Sequence, residues 1–287
     1  MELYSVGELV PSNELLDATG SDVTQLHPMF ANMWAGRNTA FELFCAYPFG
    51  PTQVEYGMWY SVGDGQKYLD TLYTPYNIKA LPWVFSVGQI GGHSKFPITS
   101  IDDMVGKTYR QGAGMPHIIL RKLGIDPIWL PQEECYSNLD RGVVDIIKWG
   151  GPSEDWGMKL HEIADYMFWP GWHKPGFAFT LEINKDRYDG LPEDLQRIVD
   201  TAAWATAGKS FKRAYEDAYY FQKFVDYGTT MTKLSPEELA KLKAVADESL
   251  AELADENPMY KEIWQNQQEF LSAYKAWAEY SSFPPLD

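Results

Sequence analysis

Arg110 is the residue whose type and position carry the most chemistry. It lies in a short predicted strand, Lys107 to Gln111, just before the turn Gln111-Gly112-Ala113-Gly114. A guanidinium is planar and meets a carboxylate with two parallel hydrogen bonds. One charge-assisted bond contributes roughly 1.5–3 kcal/mol, against about 0–1 kcal/mol for an exposed ion pair. On the residue alone, a ligand clamp and a surface salt bridge are both open. The turn has part of a dinucleotide-binding glycine pattern but lacks the full fingerprint. The free N–H groups of the helix start behind it suit an anion in general. Hydrolytic chemistry finds little support. His27, His93, His117, His161 and His173 are scattered, and there is no His-Glu-x-x-His, Cys-x-x-Cys or Gly-x-Ser-x-Gly. Cys45 and Cys135 are two buried thiols or one disulfide; their spacing fits no metal site.

The elements around Arg110 alternate. Ser100-Ile101-Asp102-Asp103 caps a short helix ending at Gly106. A helix over Pro116 to Leu123 is stopped by Gly124, and Ile128-Trp129-Leu130 reads as a strand. A helix over Glu133 to Arg141 is closed by Gly142, and Val143 to Ile147 is apolar enough for a buried parallel strand. This is a βαβαβ unit, and ligands of open α/β sheets sit beyond the carboxyl ends of the strands. That rule singles out Arg110, Lys148 and Trp149. Tyr166 to Gly176 holds two Pro, two Gly and two Trp, too stiff and aromatic for an ordinary surface connection. It reads as the wall or hinge of a cleft. The C-terminal third is helical. Pro192-Glu193-Asp194 opens one long helix, and Ser235-Pro236-Glu237-Glu238 is a capping box opening a second. Asn257-Pro258 starts a third, whose Ile263, Trp264, Phe270, Tyr274 and Trp277 recur at helical spacing. That stripe packs on the parent core or docks on another subunit.

The 287 residues exceed one average domain, and 45% hydrophobic content supports a real core. A net charge of −16 makes nucleic acid and anionic membranes poor partners. A small anion is still compatible, because a cleft can carry local charge opposite to the whole. No stretch approaches the ~20 apolar residues that cross a bilayer. Met1-Glu2-Leu3-Tyr4-Ser5 has neither the basic nor the apolar part of an export signal.

Taken together, the motifs resemble the DctP-type solute-binding proteins of TRAP (tripartite ATP-independent periplasmic) transporters. The matches run in order over nearly the whole chain. They are Gly7-Glu8-Leu9-Val10-Pro11 with Glu14 to Ala18, Trp34-Ala35-Gly36, Pro48-Phe49-Gly50, Gln89-Ile90-Gly91-Gly92 and Pro97 to Asp103. They continue with Gly106 to Arg110, Arg141 to Asp145, Trp149-Gly150-Gly151-Pro152, Pro170 to Gly176 and Leu191 to Gln196. The tryptophan and Pro-Gly-Trp-His segments are similar to those of the branch that takes α-keto and α-hydroxy acids.

The resemblance implies an α/β, two-lobed periplasmic solute-binding fold with a long connecting helix and a helical C-terminus. Residues 1–87 plus 177–215 would form lobe I, and 88–176 plus 216–287 lobe II, with the cleft between them. It implies a non-enzymatic receptor for a small organic acid, working with TRAP membrane subunits in the periplasm, and a homodimer through the C-terminal helix. It also implies a strand and helix upstream of a Glu2-Leu3-Tyr4 strand, and a signal peptide, which this chain does not carry. An arginine at the position of Arg110 clamps the carboxylate in this family. The branch tends to hold a cation with a glutamine matching Gln89 and two acidic residues, which here are Lys148 and Lys174. Ammonium groups repel hard cations. The expectation is therefore that no metal or other cofactor is held, and that Lys148 and Lys174 bind the ligand directly. Three cations in one cleft favour a keto acid, a dicarboxylate or a sulfonated acid. The alternative is that both lysines point outward to Glu154, Asp155 or Glu162. The expected contacts are Gln89, Arg110, Lys148, Trp149 and Lys174, with Trp172 and His173 shaping the wall and Asn32 and Met33 facing the ligand from lobe I. The alternative functions are a lysine-imine enzyme acting on a keto acid and a stand-alone sensory or scavenging protein.

Overall fold

The computed structural model of the chain describes residues 2–5, 7–112 and 114–281. Met1 and Ala113 of the motifs above, and residues 282–287 of the expected second lobe, lie outside the described residues. The fold is α/β and two-lobed, built on two sheets. The strands are β1 (Leu26–Met29), β2 (Ile78–Val87), β3 (Gly92–Ser94), β4 (Thr108–Arg110), β5 (Asp126–Ile128), β6 (Ile146–Ile147), β7 (Tyr166–Trp169), β8 (Gly176–Asn184) and β9 (Thr230–Lys233). The first sheet is antiparallel in the order β1-β8-β2, and the second is mixed in the order β5-β4-β6-β3-β7-β9.

The predicted βαβαβ unit is present: β4 pairs in parallel with β5 on one side and β6 on the other. Its outer strands are shorter or shifted. β6 keeps only Ile146 and Ile147, because Val143 is 59% exposed and cannot belong to a strand buried on both faces. β5 starts at Asp126, two residues before the expected start. Glu2 to Ser5 form no strand, contrary to expectation; they are exposed and no neighbouring strand pairs with them.

The helices start where their capping residues predict. The helix Glu193–Lys209 begins after Pro192, and Pro236–Glu256 begins with Ser235 accepting the Glu238 N–H. The reciprocal half of that capping box is missing. Glu238 Oε2 instead accepts the Ile101 N–H at 2.7 Å, tying the helix to the loop before β4. The single long connecting helix is two, Glu193–Lys209 and Lys212–Tyr227, broken at Ser210, whose Oγ accepts the Phe85 N–H at 3.1 Å. The final helix, Pro258–Ser281, packs on the preceding helix Pro236–Glu256 and also on the 39–44 and 53–62 helices, where Gln267 Oε1 accepts from Tyr47 Oη at 2.7 Å and Asn266 Oδ1 from Trp59 Nε1 at 3.0 Å. Its inner stripe of Tyr260, Ile263 and Leu271 is buried at home, while Trp277 and Tyr280 at its far end stay exposed. Cys45 and Cys135 are free and buried in separate hydrophobic clusters.

Glu182, on the central strand of the first sheet, has no exposure. A buried carboxylate persists only when its lone pairs are filled. Here Trp34 Nε1 donates at 3.0 Å, Tyr73 Oη at 2.7 Å and Thr180 Oγ1 at 3.1 Å, and His27 Nε2 stands 3.0 Å away. Tyr73→Phe removes one charge-assisted donor and should cost roughly 1.5–3 kcal/mol in urea unfolding. A change below about 0.5 kcal/mol, the range of an ordinary surface site, would show that the remaining donors satisfy the carboxylate.

Candidate functional site

A cleft of about 670 Å³ opens at the carboxyl ends of β4 and β6 and runs across to the first sheet. Gln89, Arg110, Lys148, Trp149 and Lys174 all line it. Trp172, His173, Asn32 and Met33 do not. Trp172 and His173 are buried behind the wall, and Met33 is 48% exposed elsewhere. Lys148 and Lys174 make no ion pair with Glu154, Asp155 or Glu162 among the described residues, so the outward-pointing alternative does not hold.

Arg110 is the last residue of β4, and its guanidinium is fixed from the protein side. Nε and Nη2 donate to the Leu130 carbonyl at 3.1 and 2.8 Å, and Nη1 donates to the Lys148 carbonyl at 2.8 Å. The Trp149 ring lies 4.4 Å from Cζ. A guanidinium has five N–H donors, so one on each terminal nitrogen remains for a ligand. Burial draws the Arg110 pKa down from its ordinary value, with Cys135 and Asp155 opposing. Lys148 follows β6 and is 3% exposed. Burial first, then the charges of Lys174 and Arg110, pull its pKa well below the ordinary lysine range, against Asp155 and Glu154. Lys174 reaches the cleft from the other side, with Nζ 5.2 Å from the Phe30 ring and 5.7 Å from that of Phe177. Gln89 Oε1 is buried without a hydrogen-bond partner.

The supports explain these positions. Asp155, fully buried, accepts the Gly150 N–H at 2.9 Å and pairs with His93 Nε2 at 3.0 Å, which fixes the Lys148-Trp149-Gly150 segment. Pro170 to Pro175 is a tight turn laid against Gln89. A Cβ on Gly171 would stand 2.0 Å from the Gln89 carbonyl, so only glycine allows this approach. Behind it, His173 has both ring nitrogens unpartnered, and burial, Lys148 and Lys174 together push its pKa far down.

Sequence reasoning missed the rest of the lining. Lys209, Lys212 and Arg213 come from the broken connecting helix, Val84, Ser86, Phe177 and Phe179 from the first sheet, and Phe30 from just after β1. Arg213 meets Glu154 at 3.0 Å, and Lys212 meets Glu216 at 2.8 Å. Six cationic side chains thus face two carboxylates, in a chain of net charge −16. The only available signal was the Lys-Ser-Phe-Lys-Arg run at 209–213, which a helical pattern disguises as a solvated face.

The acidic group that meets the glycine turn is the protein's own. Glu42 Oε1 lies 3.0 Å from where a Cβ on Gly114 would be, and Gly114 has φ +93°.

A sequence model of the family described as bacterial extracellular solute-binding protein, family 7, matches residues 1–257. A monocarboxylate 2-oxoacid-binding periplasmic protein of Nostoc sp. is 25% identical over 276 residues, 96% of this chain and 75% of that protein. A TRAP transporter solute-binding protein of Bordetella bronchiseptica superposes with TM-score 0.87 at 26% identity, covering 98% of this chain and 83% of the other; it is a mixed-occupancy dimer with calcium and picolinate in one active site. One from Colwellia psychrerythraea, with bound calcium and pyruvate, gives 0.86 at 29% identity, covering 93% and 82%. The expectation that no cation is held is thereby overturned, since both similar structures carry calcium with the acid. It failed because it counted side-chain charges only. A bound acid brings its own negative charge and carbonyl oxygens, which change the balance the cation meets.

Burial pushes the Glu42 carboxyl up from its ordinary 4.5 to about 7. Between those values the unfolded chain releases a proton that the folded chain keeps, so this group lowers stability as pH rises from about 4.5 to 7. Glu42→Gln should therefore gain in melting temperature over the parent as pH is raised through that window. A difference independent of pH would contradict the assignment.

Proposed function

The chain belongs to the bacterial extracellular solute-binding proteins of family 7, and we propose that it is a periplasmic receptor delivering a small organic acid to TRAP membrane subunits. Arg110, Lys148 and Lys174 take the acid's carboxylate in this reading. Proteins of this family and the structural neighbours are solute-binding proteins, not enzymes, which sets aside the lysine-imine alternative.

One observation carries the proposal. Arg110 and Lys148 are the only buried lysine or arginine side chains among the described residues, and neither pairs with a described carboxylate. A buried unpaired charge is expensive, so the missing anion is the ligand. The two N–H groups left on Arg110 suit a bidentate carboxylate. Names of similar proteins agree in class: 2-oxoacid, pyruvate, picolinate.

A cation beside the acid belongs to this reading. The buried, unpartnered Gln89 Oε1 is the oxygen that fits one, and Glu154 offers a carboxylate in the same lining. Among the described residues no group of three or more His, Cys, Asp or Glu could hold a metal alone, so the acid's own oxygens would complete the set. A bound cation would supply charge for those oxygens.

We assign the two sheets to the two lobes, with crossings between β2 and β3, between β7 and β8, and at Ser210; the helix 258–281 goes with the first. Trp277 and Tyr280 are where we place the contact of a homodimer.

Isothermal titration with pyruvate, in calcium-containing buffer, tests the clamp. Arg110→Ala should weaken binding on the order of a hundredfold or more, as expected for losing two charge-assisted bonds. Parent-like affinity in that variant, or no acid bound by the parent across an organic-acid panel, would sink the proposal. Lys148 gives a second readout. Its pKa is depressed in the free cleft, and an adjacent carboxylate raises it, so the complex holds more proton than the free protein. Between the free and bound pKa values, binding should take up protons and strengthen as pH falls toward the free-state pKa. Titrations in buffers of different ionisation enthalpy would report this; a heat independent of buffer would contradict it.

A further inference from the structure

Opposite the cations, the cleft has a second wall of different character. β8 places Phe177 and Phe179 two residues apart, hence on one face of the first sheet. β2 lies antiparallel to it, with Ser86 opposite Phe177 and Val84 opposite Phe179. That pairing depends on a bulge. The register slips by one residue between Pro82 and Val84, so Trp83 is extra and Val84, not Trp83, faces Phe179. Phe85 consequently points to the opposite side, where it is buried against Tyr60 and Trp204. Phe30, just after β1, closes the patch, its ring centroid 3.8 Å from that of Phe179 and 6.0 Å from that of Phe177. Phe30, Phe177, Phe179 and Val84 all line the same cleft as Arg110 and Lys148. Lys174 Nζ stands over Phe30 and Phe177, at the seam between the two walls.

We propose that this receptor is built for an organic acid with an apolar body, aromatic or branched, whose carboxylate meets Arg110, Lys148 and Lys174 while its body lies on the Phe30–Phe177–Phe179 wall. The proposal rests on the receptor reading above and adds the ligand class. An acid held by the cations directs whatever follows its carboxyl carbon toward the rings. A three-carbon acid leaves those rings hydrated, whereas a ring or branched chain removes apolar surface on both partners from water. Similar structures hold acids as different as pyruvate and picolinate, so the fold leaves this choice to the side chains of the wall.

Titration calorimetry on the intact protein, with phenylpyruvate and pyruvate as paired probes, tests it. Both share the 2-oxoacid head and differ only in the ring. Phenylpyruvate should bind at least about tenfold more tightly. Phe179→Ala should erase most of that advantage, weakening phenylpyruvate by a several-fold larger factor than pyruvate. Phe179→Leu, closer in volume, repeats the comparison should the alanine variant melt early. Equal or tighter pyruvate binding by the parent would overturn the apolar-body proposal and leave the receptor reading standing. So would an equal loss for both acids in the variants. Binding of neither acid, nor of any other in the panel, would bring down the receptor reading and this inference together.

Discussion

Two buried cations, neither ion-paired with a carboxylate among the described residues, organise this molecule. Arg110 ends β4 and Lys148 follows the neighbouring strand β6, with Lys174 facing them. Removing such groups from water costs several kcal/mol each, and Coulomb repulsion among them adds to it. The fold tolerates this in two ways. Arg110 gives three N–H groups to the Leu130 and Lys148 carbonyls and stacks on Trp149, so the guanidinium is solvated by peptide dipoles. At Lys148, burial and the neighbouring cations favour the neutral amine and hold the pKa well below the ordinary lysine range. What neither device supplies is an anion. The cleft therefore stores an electrostatic deficit that an anion would relieve, which is what the proposed acid binding rests on.

The rest of the scaffold holds that deficit in place. The Asp155–His93 pair steadies the chain after Lys148 through the Gly150 N–H. Gly171 lets the 170–175 turn press against Gln89. The Glu182 cluster fixes the first sheet at its central strand, on which Phe177 and Phe179 are mounted. The protein's overall negative charge and its positive cleft are compatible because the cleft walls focus the local field, while exposed acids are screened by solvent.

Much of the fold was legible because its signals are local. Pro192, Ser235 with Pro236, and Pro258 start helices by supplying or forgoing single hydrogen bonds, and they did so at the expected positions. The parallel unit around β4 followed from apolar runs between glycine stops. Errors fell where a neighbour outbid the local signal. Glu238 left its own cap for the Ile101 N–H, and Ser210 interrupted the connecting helix by accepting from Phe85. The bonds that the last helix makes to the 39–62 region through Gln267 and Asn266 were equally invisible, because a hydrophobic pattern ignores polar residues.

The site divides along the same line. From residues alone, Arg110, Lys148, Lys174, Gln89 and Trp149 could be assigned to one cleft, since strand ends and family motifs are properties of sequence, and the structure brings them together. The net charge of −16 is likewise a property of composition. Only tertiary structure decided that Lys209, Lys212 and Arg213 share that space, and that the bulge at Trp83 turns Val84 and Ser86 toward it. The physical reason is range. Propensity and capping act over a few residues, whereas a side chain's direction into a cavity depends on strand register and on contacts made by segments a hundred residues away.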